Sequence, residues 1–165
     1  MKLKTDSKKN LIDIHKEIEN AYKKSNYITT FLLLHFAIEN NLRVLLYFTS
    51  QPKVIVINVD KWKKLSELKY YTLIRVCFVI GILNKTEFDK LNELNKARNY
   101  YAHSKFFYSL FESKQEKKPN VKRIYEECLK LSKKLNKQVY KMIDLKSKDA
   151  HKKDKLKYIY FNKKV

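Results

Sequence analysis

Phe88-Asp89-Lys90-Leu91-Asn92-Glu93-Leu94-Asn95-Lys96-Ala97-Arg98-Asn99-Tyr100-Tyr101-Ala102-His103 is the stretch on which both the fold and the chemistry turn. Phe88, Leu91, Leu94 and Ala97 recur three apart, the spacing of one helical face, with polar residues between them. At the end of this amphipathic helix a permanent cation, an amide and a titratable imidazole fall within six residues. A guanidinium holds a phosphate with a planar fork of donors, and an imidazole moves a proton near neutral pH. Together they suffice for metal-free attack on a phosphodiester. Positions five apart on an ideal helix are separated by about 140° around its axis, so Arg98 and His103 do not converge on one face of a straight helix. Either the helix ends or bends between them, or the pair acts in a groove with a second copy, where a two-fold axis gathers two Arg and two His.

Working outward, the pattern is helical almost everywhere. Asp6 or Ser7 is expected to cap a first helix reaching about Ser25, with Leu11, Ile14, Ile18, Ala21 and Tyr22 on one stripe. A second helix, from about Tyr27 to Phe48, is apolar nearly all round and is expected at the centre of the bundle. Ser50, Gln51 and Pro52 stop it. Val54-Ile55-Val56-Ile57 reads as a short strand or an extended connector. Asp60 begins a third segment that the spacing carries as one helix from Trp62 to Ile80, with Gly81 as its stop. Thr86 offers an N-cap for the fourth helix, with Asp89 three residues on. Pro119 suits the first turn of a fifth, whose stripe is Val121, Ile124, Tyr125, Cys128, Leu131, Leu135, Val139, Met142 and Ile143. Lys146 to Lys157 is mostly charged, a solvated helix end or disorder, and Tyr158-Ile159-Tyr160-Phe161 is an apolar patch that follows it. The division is a helical domain over 5–145 and a basic tail over 146–165.

Composition agrees with an all-α chain. Among 165 residues there are one Gly and two Pro, too few turn-formers for an all-β sandwich, while 44% hydrophobic residues supply a core. The net charge is +20, and residues 113–165 hold eighteen Lys or Arg against six acids. That asymmetry favours a polyanionic partner. Cys77 and Cys128 have no metal-ligand or redox spacing and are expected as buried hydrophobes in a reducing compartment. No metal and no cofactor are expected. The first ten residues lack the apolar run of a signal peptide, and the 27–48 helix carries His35, Glu39 and Arg43, so a cytoplasmic protein without a membrane partner is expected.

With these residues in view the chain resembles the HEPN superfamily, the "higher eukaryotes and prokaryotes nucleotide-binding" helical domains. Arg98, the polar Asn99 directly after it and His103 match the Arg-x(4–6)-His motif as they stand. The layout is similar too: a long apolar helix containing Phe36-Ala37-Ile38-Glu39-Asn40-Asn41-Leu42-Arg43, a helix ending at Ile80-Gly81-Ile82, then the helix that feeds the motif. This arrangement is also similar to the mannitol-operon-repressor-like and abortive-infection branches. The likeness covers about residues 8–112.

The resemblance implies an up-and-down bundle of four to five helices that forms a homodimer through the motif region. For active members it implies metal-independent RNA cleavage in a toxin–antitoxin or phage-defence setting, with an antitoxin protein as a partner. His103 would then act as general base or acid toward a ribose 2′-OH, and Arg98 would hold the scissile phosphate. Asn99 would orient His103 or bond the phosphate. The other outcome it allows is a non-catalytic module that binds nucleic acid or a protein. Toxins paired with nucleotidyltransferases often carry Tyr two residues after the His; Lys105 stands there, so no tyrosine adenylylation is expected at that position.

Other residues support this reading or have plainer roles. Glu39 and Arg43, four apart, form an intrahelical ion pair or support the site by orienting Arg98 across the bundle. Tyr101 and its aromatic neighbours stack bases or fill the core. Lys105 sits beside the motif, and Lys122, Arg123, Lys130 and Lys134 lie on the basic face of the last helix, an RNA track or a solvated surface. His35 is expected as a core histidine, and His15 and His151 as solvent-facing.

Overall fold

The computed structural model describes residues 13–50, 58–107 and 119–152, with the side chains of 103–107 and 147–152 excepted. All the regular structure among these residues is helical. The helices are α1 (Ile14–Lys23), α2 (Tyr27–Ser50), α3 (Val59–Ser66), α4 (Tyr70–Val79), α5 (Lys85–Phe107) and α6 (Val121–Lys152). The 54–57 segment and the 158–161 patch lie outside the described residues.

Short polar side chains set the helix starts, and several sit elsewhere than the pattern suggests. Asp13 caps α1, its Oδ1 accepting from the His15 N–H at 3.1 Å. Asn58 rather than Asp60 starts α3, accepting from the Lys61 N–H at 3.0 Å. For α5 the cap is Asn84, not Thr86. Asn84 Oδ1 accepts the Glu87 N–H at 2.9 Å while Glu87 Oε2 accepts the Asn84 N–H at 3.0 Å. This is the reciprocal pairing of a capping box, with Asn in the hydroxyl residue's place. At α6 Pro119 stands outside the helix, and Asn120 Oδ1 accepts the Arg123 N–H at 3.1 Å.

The expected single third helix is two. Its break at Glu67–Lys69 meets Arg43 of α2. Arg43 Nε donates to the Leu65 carbonyl at 3.2 Å, and Nη2 donates to the carbonyls of Ser66 at 3.2 Å and Leu68 at 3.0 Å. The last carbonyls of a helix lack intrahelical partners, and Arg43 supplies donors to them, which stabilises the end of α3 and the turn into α4. Gly81 does end α4, at φ +79°, with Ile82 N–H to Cys77 O at 2.9 Å and Gly81 N–H to Phe78 O at 3.1 Å. The same left-handed stop ends α1 at Ser25, φ 56°, a residue with a Cβ where glycine is favoured.

α2 is central, as its all-round apolar sequence suggests. It packs against α1, α3, α4, α5 and α6. Phe31, Leu34, Ile38 and Leu42 are fully buried, meeting Ile18, Leu73, Ile74, Leu91, Leu94 and Leu135 in one core. Each such side chain contributes about 1.5–3 kcal/mol of transfer from water. α2 is also long and apolar enough to cross a membrane by length and composition, and half of its most apolar stretch is buried inside the structure. Directions follow from the contacts. Tyr27 and Tyr101 meet at one end of the α2–α5 pair, so these helices run antiparallel, as do α5 and α6, where Arg123 reaches Glu93 at 2.9 Å and Lys134 pairs with Glu87. α6 continues unbroken past Leu145 as far as Lys152, so of the two readings for the charged segment the helix end is the one formed that far.

Cys77 and Cys128 are free and buried, and burial pushes each thiol up to about 12, which keeps both neutral. His15 is not a solvent-facing residue. Its Nε2 lies 3.0 Å from the hydroxyl of fully buried Ser132, and burial lowers its pKa.

Candidate active site

α5 runs without a break through Arg98, Asn99 and position 103. The helix does not end between Arg98 and His103. On this continuous helix position 103 is rotated about 140° from position 98, whereas positions 99 and 103, four apart, share a face. The His103 and Lys105 side chains lie outside the described residues.

Arg98 spans two environments. Its Nε is buried and has no hydrogen-bond partner among the described residues, whereas Nη1 reaches the exposed side and donates to Asn99 Oδ1 at 2.9 Å. No carboxylate pairs with Arg98 among the described residues, which distinguishes it from Arg43 and Arg123. Asn99 thus stands between the guanidinium and the face it shares with position 103. Its amide NH₂ remains as a donor once Oδ1 has turned to Arg98.

Tyr101 packs on Phe31 in the antiparallel α2–α5 pair, so Arg98, one turn before Tyr101, lies toward His35 of α2, one turn after Phe31, and its charge acts on that imidazole. The His35 ring lies on the Tyr70 ring of α4 with centroids 3.8 Å apart, and its Nδ1 is 3.5 Å from Glu39 Oε2. Its pKa is lowered to about 4, first by burial and then by the positive charges of Arg98 and Arg43. His35 is therefore a neutral imidazole at physiological pH, and its contact with Glu39 is not an ion pair. Beneath the stack, the Tyr70 hydroxyl is buried without a partner, and burial raises its pKa well above the usual range. The α2 ladder His35, Glu39, Arg43 was legible in the sequence as i, i+4, i+8; nothing there marked Tyr70.

Glu39 and Arg43 form the intrahelical pair, Oε1 to Nη2 at 2.7 Å. Arg43 then holds the end of α3, and Glu39 is turned toward Arg43 and His35 rather than toward Arg98. Tyr101 packs inward, its ring 5.7 Å from Tyr27 and 5.5 Å from Phe31, and its hydroxyl is buried without a partner. The core role, not base stacking, describes it.

The basic face of α6 is a separate feature. Lys133 pairs with Glu19 of α1 at 2.8 Å, Lys134 with Glu87 of α5, and Arg123 with Glu93 and Glu127. These flanking cations are tied to acids on both sides. Lys130, Lys137 and Lys141 form the crest between them, share one helical stripe, and pair with no carboxylate among the described residues. An open groove of about 680 Å³ runs along this helix, lined by Tyr125, Leu129, Lys130, Lys133, Lys137 and Lys141 among others. The crest lies opposite the buried stripe of α6, and Arg98 faces α2, so the fold places the two basic features on different faces.

Among the described residues no three His, Cys, Asp or Glu side chains gather as a metal-ligand group. No protein-family model matches the chain, and neither a curated protein nor a solved structure matches it.

Proposed function

We propose that this chain is a HEPN-type, metal-independent endoribonuclease acting as a homodimer, in which Arg98 holds the RNA phosphate and His103 moves the proton of the 2′-OH. The observation that carries the reading is the state of Arg98. It is a guanidinium with a buried Nε, exposed at its Nη end, steadied by Asn99 and paired with no acid among the described residues, in a chain of charge +20. A cation held this way is ready for an oxyanion. The antiparallel pairs α2–α5 and α5–α6 accord with an up-and-down bundle. The unbroken course of α5 supports a second copy, because positions 98 and 103 of a regular helix turn apart while a two-fold axis would bring the Arg98 of one protomer toward the His103 of its partner. Attack by the 2′-OH leaves a 2′,3′-cyclic phosphate, so DNA is not cut. A toxin or phage-defence setting in the cytoplasm, with an antitoxin protein masking the site, fits this activity.

The test is incubation of the full chain with single-stranded RNA in EDTA. Cleavage to cyclic-phosphate ends, lost in Arg98→Ala and His103→Ala, is the expected result. Intact RNA at stoichiometric enzyme rejects the nuclease reading.

A second reading has its own support in the unpaired crest Lys130, Lys137 and Lys141: a non-catalytic module that binds RNA along α6. Its signature is binding without cleavage, weakening steeply with salt and lost in a triple Lys→Glu variant of the crest.

A further inference from the structure

We propose that His35 belongs to the anion site at Arg98 as its proton acceptor: an oxyanion settling on the exposed end of the guanidinium draws a proton onto the His35 imidazole. This rests on the reading of Arg98 as a phosphate ligand and adds a residue that the Arg-x(4–6)-His motif does not contain.

The geometry is a cluster built by three helices. The charged and titratable groups facing the imidazole are Glu39 and Arg43 from α2, Tyr70 from α4 and Arg98 from α5. Two guanidinium groups against one carboxylate make the neighbourhood positive, and Glu39 is itself held by Arg43 at 2.7 Å. Burial first, and then these charges, keep the ring neutral, while no carboxylate among the described residues compensates Arg98. Stacking on Tyr70 holds the imidazole between α2 and α4. An oxyanion on the Nη side cancels part of the Arg98 charge and adds an attractive partner for the imidazolium. The proton comes from solvent and occupies the ring nitrogen left bare in the neutral form. No covalent bond forms or breaks.

The sign follows from linkage. Without anion, His35 titrates near 4, lowered first by burial and then by Arg98 and Arg43; anion offsets the Arg98 part and raises it toward, but not to, its ordinary 6.5. Between these values binding takes up a proton, so affinity for the oxyanion rises as pH falls through that window.

The experiment is an NMR titration of the histidine ring protons of the full chain between pH 4 and 8, with and without sulfate, which stays a dianion throughout. His35→Gln identifies the resonance, and the wild-type arm needs no variant. The expected result is a His35 midpoint near 4 that moves up by a unit or more in saturating sulfate. For a one-unit shift sulfate affinity is then about twofold tighter at pH 5 than at pH 7.5, approaching tenfold only below pH 4, where the imidazole is protonated in both states. Arg98→Gln raises the sulfate-free midpoint and abolishes the response. Sulfate that binds without moving His35, or fails to bind, overturns the inference. A parallel arm with a short single-stranded DNA, which cannot be cleaved, shows whether backbone phosphate or only a small ion reaches Arg98; a His35 shift with either sustains the proton link. The outcome separates from the nuclease test. RNA cleavage that needs Arg98 alongside an unmoved His35 rejects this inference alone. A sulfate-linked shift in a protein that leaves RNA intact supports it and removes the nuclease.

Discussion

Arg98 Nη1 donates to Asn99 Oδ1 at 2.9 Å, so the guanidinium is steadied by its immediate neighbour on the same helix. An amide orients the cation without neutralising it, and that difference is testable. Asn99→Asp places a carboxylate on Arg98 and is expected to weaken RNA binding about tenfold. Asn99→Ala, which loses one charge-assisted hydrogen bond, weakens it about threefold. Fluorescence anisotropy with 2′-O-methyl RNA, which cannot be cut, measures both. Equal losses in the two variants would contradict the assignment.

Arg43 ties α2 to the end of α3 through three carbonyls and to Glu39 through an ion pair. Arg43→Met leaves those carbonyls and the half-buried carboxylate without their donor. The expected loss is about 2–4 kcal/mol of stability in urea unfolding, with the RNA-binding affinity of the folded fraction unchanged. A loss below about 0.5 kcal/mol would mean that water replaces the guanidinium there.

His35 carries a pH dependence of stability whose sign is fixed. Its pKa is near 4 in the folded chain and 6.5 in the unfolded chain. Below pH 6.5 the unfolded state gains a proton that the folded state refuses, so stability falls as pH drops from about 6.5 to about 4 and then levels. The integrated loss is about 3 kcal/mol. Urea midpoints across this window are expected to fall less in His35→Gln than in wild type. Parallel profiles would show that the imidazole is freely protonated in the folded state.

Ser25 closes α1 at φ 56°, a conformation that glycine enters without a Cβ penalty. Ser25→Gly is expected to stabilise the fold by about 0.5–1 kcal/mol and raise its Tm in calorimetry. A lower Tm would show that the unfolded-state entropy of glycine outweighs the relieved strain.

These residues also show how far the sequence could be read. Periodicity located α5 and α6, which bury a stripe that repeats with the helical turn, and all-round apolarity located α2. The pattern missed the break at 67–69, because the apolar spacing runs straight through it and Arg43, which supplies donors there, is more than twenty residues away. It placed the α5 cap two residues late, because Thr86–Asp89 and Asn84–Glu87 both have the capping-box spacing and only the latter pair forms the reciprocal bonds. At the site, Arg98 and Asn99 stood out by type and adjacency. His35 and Tyr70 did not, because their bearing on Arg98 comes from a contact between α2, α4 and α5 that no local window contains.

Residue order alone determined that this chain is helical, that about 27–48 is its central helix and that Arg98 and Asn99 sit side by side on one helix. Those properties follow from hydrophobic period and chain adjacency, which are local. Only the packing of helices decided that Arg98 is buried at one end and open at the other, that His35 is held neutral beside it, and that the lysine crest of α6 faces away. Charge state and exposure depend on everything within a few ångströms, and those neighbours are gathered from distant parts of the chain.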